Sequence, residues 1–284
     1  MLSPLTSFAA ETPHISLAPD TFFNIGPIPI TNSMLLGVLG YALVIALFAY
    51  MARAAKTRSR NRFAVATLWL FEGLLNTIEQ VTNNRKAARA LAPLSITLFF
   101  FIVVNYWTGI LPFVGPVTYN GLPLFRGLAA DLNVTFALAI ISMVTVQIYA
   151  IRTHGVFGNA KRYLRNPLRD PAGAFEGILE LIAEFSRLVA LSMRLFGNVF
   201  AGEVLLVMVG FLTNYFAVVA LPFFMVFELF IGTIQAYVFF MLTIVFISLG
   251  TAQHGSDDDH AADKQLPTSH TPPDKRARPA AASD

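Results

Sequence analysis

The sequence predicts an all-α, polytopic membrane protein whose C-terminal half is a long, tilted two-helix hairpin. Three observations predict it. Of 284 residues, 55% are hydrophobic and 13% charged, and the mean hydropathy is +0.61, a balance foreign to soluble domains. Apolar stretches long enough to cross roughly 30 Å of hydrocarbon recur along the chain. Two of them, 171–212 and 216–251, are far longer than the ~20 residues a simple span needs.

The expected organisation is an extracytoplasmic segment at 1–30, a membrane domain at 31–251 containing the hairpin at about 171–251, and a disordered polar tail at 252–284. Residues 1–30 carry Glu11 and Asp20 and no Lys or Arg. They therefore match neither a cleavable signal peptide nor an Arg-rich transit peptide. The first span runs from about Ser33 to Met51. Arg53, Lys56, Arg58, Arg60 and Arg62 follow without an intervening acid, which puts that end in the cytoplasm and the N-terminus outside. Residues 63–82 interleave Phe63, Leu68, Phe71, Leu75 and Ile78 with Glu72, Asn76, Glu79 and Gln80. That pattern predicts an amphipathic helix lying in the interface rather than crossing it.

The second span is expected at about Leu91–Phe113 and the third at about Leu132–Ile151. The loop between them is rich in Gly and Pro, and Arg126 is its only basic residue. Arg152, Lys161, Arg162, Arg165 and Arg169 follow the third span, so the loop is external and the 152–170 segment cytoplasmic. The hairpin turns near Asn214-Tyr215 on the outside, which leaves the C-terminus in the cytoplasm. The tail combines His, Asp, Ser, Pro and Ala with few large apolar side chains, too little to offset the entropy of ordering. Its His254, His260, His270 and Asp257–Asp259 read as a solvated tail rather than a metal site.

The hairpin carries the chemistry. Its first arm holds Glu176, Glu180, Glu184, Arg187, Arg194, Asn198 and Glu203, and its second holds Glu228 and Gln235. The first-arm groups follow one slowly drifting helical face. Measured from the turn, Glu203 and Glu228 fall at matched depth, as do Arg194 and Gln235. Two close carboxylates in low dielectric resist ionising together and so make a proton relay. Arg194 stays charged at any working pH. A charge deep in a bilayer costs at least about 2.5–3.5 kcal/mol on insertion scales and by default marks an ion or substrate path. Its nearest charges on its own arm are Arg187 and Glu203, so its counter-ion is expected from a partner. Plainer readings exist for some neighbours. Glu176 complements a helix dipole, Arg187 snorkels while pairing with Glu184, and Asn198 and Gln235 are packing amides.

Met193-Arg194-Leu195-Phe196-Gly197-Asn198, then Ala201-Gly202-Glu203, then Gln235-Ala236-Tyr237-Val238-Phe239 with Leu242-Thr243, and Asp131-Leu132-Asn133-Val134-Thr135 together resemble the a subunit of the F-type ATP synthases. The resemblance covers roughly Ser33–Thr251. It implies a non-catalytic membrane stator of a bacterial inner membrane, with no cofactor and no nucleic-acid partner. The implied partners are the rotating c-ring, the peripheral-stalk b subunits and membrane lipids. Arg194 resembles the family arginine that separates two aqueous half-channels and meets the c-ring carboxylate. Glu203 and Glu228 resemble the outer half-channel pair, Asn198 and Gln235 its polar neighbours, and Glu180 the cytoplasmic-side acid of the inner half-channel. Many bacterial members carry histidine where Glu228 stands.

The alternatives are a secondary transporter with an Arg-centred anion site, an intramembrane enzyme and a structural anchor. The first would show paired inverted repeats, and no second charged hairpin is present. The second lacks a serine–histidine, paired-Asp or His-rich constellation in the spans, since every His lies at 14, 154, 254, 260 or 270. The third would not need Arg194 and the two glutamates.

Overall fold

The structure, a computed structural model, describes residues 16, 19–25, 28–57, 61–112, 114, 117–119, 122–163 and 171–252. The order is β1 (Thr21–Ile25), β2 (Ile28–Thr31), α1 (Asn32–Thr57), α2 (Arg62–Thr82), α3 (Arg85–Gly109), β3 (Thr118–Tyr119), β4 (Leu122–Pro123), α4 (Leu132–Tyr163), α5 (Pro171–Thr213) and α6 (Ala217–Ala252). The all-α expectation holds, with two minor antiparallel ribbons, β1–β2 and β3–β4, added on the loops. Helices α1, α3, α4, α5 and α6 are long and apolar enough to cross a membrane; α2 does not belong to that set. The expected disorder of the tail concerns residues that, beyond Ala252, lie outside the described ones. So do most of the 1–30 segment and the basic residues Arg58, Arg60, Arg165 and Arg169.

Helix α3 sits at the centre of the bundle. Its Ile96, Phe99, Phe100 and Ile102 are buried, and Phe99 meets Phe240 of α6 edge-on. The α2–α3 corner is built by two asparagines. Asn83 adopts the left-handed conformation at φ 46°, which Asn tolerates better than bulkier residues. Asn84 then caps α3, its side chain accepting from the backbone amides of Lys86 at 3.0 Å and Ala87 at 3.3 Å, so two of the helix's orphan donors are satisfied.

Helix α4 extends past the expected end near Ile151 because Gly155 interrupts it. Gly155 has φ 75° and ψ 164°, a conformation open to glycine and strained for other residues. The final turns, 156–163, therefore leave the main axis. They bring Asn159 to Gln147 at 3.2 Å and Tyr163 to Glu184. Helices α5 and α6 are joined by a single 3-10 turn at Asn214–Phe216, matching the expected hairpin and its turn. At 43 residues, α5 is about 65 Å long by helical rise. It must run steeply tilted or project beyond the hydrocarbon.

Buried polar contacts lock the bundle. Asp131 caps α4 by accepting from the Asn133 amide at 2.9 Å, and it accepts from Ser33 Oγ at 3.1 Å, tying the starts of α1 and α4. Ser142 and Thr243 join α4 to α6 at 2.8 Å. Ser192 donates to Thr135 at 3.2 Å, joining α5 to α4. Serine and threonine suit this task because small polar side chains let apolar helices approach and bond across the seam. Asp131→Ala removes the cap and strands the Ser33 donor. It is expected to lower stability by about 1–2 kcal/mol, with Asp131→Asn recovering part of the loss. The unfolding midpoint of the detergent-extracted protein measures both.

Candidate functional site

The buried face of α5 is made by Leu191, Ser192, Leu195, Val199 and Gly202. Polar side chains on the rest of that helix fall into three groups along its length.

Arg194 occupies the middle. It is exposed, and among the described residues no carboxylate pairs with it. One turn further, Asn198 Nδ2 donates to Gln235 Oε1 of α6 at 2.6 Å, so Gln235, expected at the depth of Arg194, bonds the amide one turn beyond it. Gln235 is buried, and its Nε2 donor has no acceptor among the described residues. The middle of the hairpin therefore presents a guanidinium and a buried amide donor that nothing among the described residues receives.

Toward the turn lies a small cavity lined by residues that include Asn105, Tyr106, Gly109, Gly127, Gly202, Glu203 and Glu228. The two glutamates line the same cavity, yet each has its own partner. Glu228 is buried and accepts a short hydrogen bond from the Tyr106 hydroxyl. Glu203 accepts from Arg126 Nε at 3.4 Å, the arginine side chain being 5% exposed and the glutamate 35%. The remaining guanidinium nitrogens of Arg126 reach Ser16, with 2.9 Å from Nη2 to its carbonyl and 3.4 Å from Nη1 to its hydroxyl. Glycines make the room. A Cβ on Gly202 would run into the Glu228 carboxylate, and one on Gly232 into the Tyr106 ring.

Toward the start of α5 lies a second group. Glu184 accepts from Gln147 Nε2 at 2.7 Å and from the Tyr163 hydroxyl. Arg187 Nη2 binds Glu180 at 3.3 Å, and its guanidinium lies 5.5 Å from the centroid of the Phe246 ring. The expected Arg187–Glu184 pair is thus replaced by Arg187–Glu180. The cause is the kinked end of α4, whose Tyr163 takes up Glu184 together with Gln147. Glu176 is exposed.

The residues singled out by sequence therefore divide. Asn198 with Gln235, and Glu180 with Arg187, are brought into contact, and Glu203 and Glu228 share a cavity. Sequence reasoning missed Tyr106, Gln147 and Tyr163, and gave Arg126 no role. Arg126 had one visible signal, being the single basic residue of its loop, and Tyr106 had one in a phenol set within a mostly apolar span. The cation beside Glu203 comes from the loop and not from a neighbouring helical turn.

Comparison with known proteins adds an independent line. The family model described as ATP synthase A chain matches residues 34–248, a stretch that includes α5 and nearly all of α6. The chain is similar to a protein named ATP synthase subunit a from Acidothermus cellulolyticus, with 28% identity over 235 residues, covering 81% of each chain. Both point to one assignment, and the chain belongs to the ATP synthase A chain family.

Proposed function

We propose that this F-type ATP synthase membrane subunit is the proton-conducting stator, performing no covalent chemistry itself and delivering protons through two offset half-channels to and from a carboxylate of the c-ring. The observation that carries the reading is Arg194, a fixed cation inside a spanning helix, exposed on this chain and unmatched by any described carboxylate. An uncovered charge at that depth is costly. A rotor surface presenting a carboxylate would cover it and supply its counter-ion, and Gln235 Nε2 offers a further donor close by.

The polar groups on either side of Arg194 suit the two half-channels. The Glu203–Glu228 cavity would admit protons from outside. The Glu180–Glu184 group would release them to the cytoplasm. The two lie more than a helical turn from Arg194 in opposite directions along α5, so a continuous proton wire would have to pass a permanent positive charge. Asn198 and Gln235 would hold the α5–α6 spacing at the level where the rotor carboxylate passes. The surroundings in this reading are a bacterial inner membrane with its lipids, the c-ring, and the b subunits of the peripheral stalk.

Arg194→Ala is expected to abolish proton-driven ATP synthesis while leaving membrane insertion intact, and to let protons leak passively through the embedded sector. Coupled synthesis at the normal rate in a well-assembled Arg194→Ala complex would exclude the role.

Glu203→Gln and Glu228→Gln are each expected to slow proton flux strongly. Because both line one cavity, the double variant is expected to be little worse than the worse single variant. ATP-driven pumping in the four proteins tests this, and fully multiplicative losses would mean that the two carboxylates act independently.

The basic residues after α1 and α4 favour an external N-terminus and a cytoplasmic C-terminus. The chain has no native cysteine, so a cysteine introduced at Ser256 reports cleanly. An impermeant thiol reagent is expected to label it in inverted vesicles and not from outside intact cells.

A further inference from the structure

The loop cation Arg126 is buried at the outer cavity and no step above uses it. Its guanidinium is held from two directions. Nε faces the Glu203 carboxylate at 3.4 Å, while Nη1 and Nη2 grip Ser16 at 3.4 and 2.9 Å. A planar guanidinium bonded along two edges has little freedom to rotate. With a side chain only 5% exposed, it is a costly charge to keep without a purpose or a partner. The two carboxylates of the cavity are treated differently. Glu203 meets a fixed cation, and Glu228 meets a neutral phenol. Among the described residues, the titratable groups lining the cavity are Tyr106 from α3, Glu203 from α5 and Glu228 from α6, and Arg126 from the loop reaches Glu203.

We propose that Arg126 is a positioning residue for proton uptake: by anchoring Glu203 through a fixed ion pair at the outer cavity, it makes Glu203 the proton acceptor of the pair and Glu228, bonded to Tyr106, the next carrier inward. This rests on the outer half-channel reading given above. Without Arg126 only the Tyr106 bond to Glu228 and the difference in exposure would distinguish the two carboxylates. The fixed cation holds Glu203, whose side chain is 35% exposed, in place, while Glu228 lies buried against Tyr106. Ser16 matters as the second anchor, keeping the guanidinium from following Glu203 when the carboxylate is protonated.

The test uses the whole ATP synthase in inverted membrane vesicles. ATP synthesis driven by an imposed proton gradient, which sends protons in through the outer cavity, is normalised to assembled complex and followed against the pH of the compartment that the outer cavity faces. Arg126→Gln is expected to lower flux at least about tenfold, in the range set by losing an oriented proton acceptor, and to shift the pH profile of what remains. Arg126→Lys, which keeps the charge, is expected to restore most of the flux and the wild-type profile. If Arg126→Gln fails to assemble, the Arg126→Gln/Glu203→Gln double variant decides. Assembly recovered in the double variant supports the proposal, since the cation is then needed only to match Glu203, and assembly lost in both overturns it. Unchanged flux and profile in Arg126→Gln overturn it, as does equal loss in Arg126→Gln and Arg126→Lys with no shift in profile. Glu203→Gln alone separates the two readings. Normal gradient-driven synthesis in that variant sinks the half-channel reading itself, whereas loss in Glu203→Gln beside normal synthesis in Arg126→Gln sinks only the role of Arg126.

Discussion

A charge that no described carboxylate of its own chain neutralises governs the rest of this structure. Arg194 lies inside a helix otherwise suited to hydrocarbon, and no described carboxylate meets it. Burying a guanidinium in protein needs a counter-ion and hydrogen bonds. Leaving it to lipid costs several kcal/mol by any scale (about 2.5–3.5 at the least). The chain does neither, so the exposed flank of α5 is unfinished without a neighbour. The other polar elements of the hairpin can be understood by their distance from that point. The Asn198–Gln235 bond lies one turn away and fixes the two arms there, and the carboxylates are kept well off to both sides.

The groups toward the turn and toward the start of α5 are built by different means. The one toward the turn depends on absence of bulk. Gly202 leaves the volume that the Glu228 carboxylate fills, and Gly232 leaves the volume of the Tyr106 ring. Three helices and a loop can then converge on one small cavity. The one toward the start of α5 depends on a break in a helix. With α4 straight at Gly155, Tyr163 would lie about 24 Å beyond Gln147 along the axis. The turn at φ 75° folds it back until both reach Glu184. This explains why Arg187 is left to Glu180 instead, with Phe246 beneath its guanidinium.

How much of this was legible in the sequence follows from the range of each interaction. The spans and the hairpin turn were readable because hydropathy is a local property summed over about 20 residues. Helix α2 was readable because its polar groups recur at helical spacing. Counting residues away from one turn put Gln235 at the depth of Arg194, one helical turn from the Asn198 it meets. The Arg126–Glu203 contact did not follow, because its partners lie 77 residues apart and one is in an irregular loop without periodicity. Tyr106 and Glu228, 122 residues apart, are in helices, but nothing in either helix gives their mutual rotation. The kinked end of α4 was missed because an isolated glycine in a helical pattern gives no sign of whether it bends the chain.

The cavity beside Gly202 sets the carboxylate at position 228 close to a second one at position 203. Two like charges that close would repel each other. Here an asymmetry is supplied from outside the hairpin. Arg126 reaches one carboxylate and Tyr106 the other, so chemically equal side chains sit in unequal surroundings. Because the cation is placed by the loop before α4, and that loop is held by the Asp131 cap and its bond to Ser33, the surroundings of the two carboxylates are tied to the packing of α1 against α4. The polar network that anchors the bundle and the charges that tune the cavity are therefore parts of one structure, joined through residues 126–131.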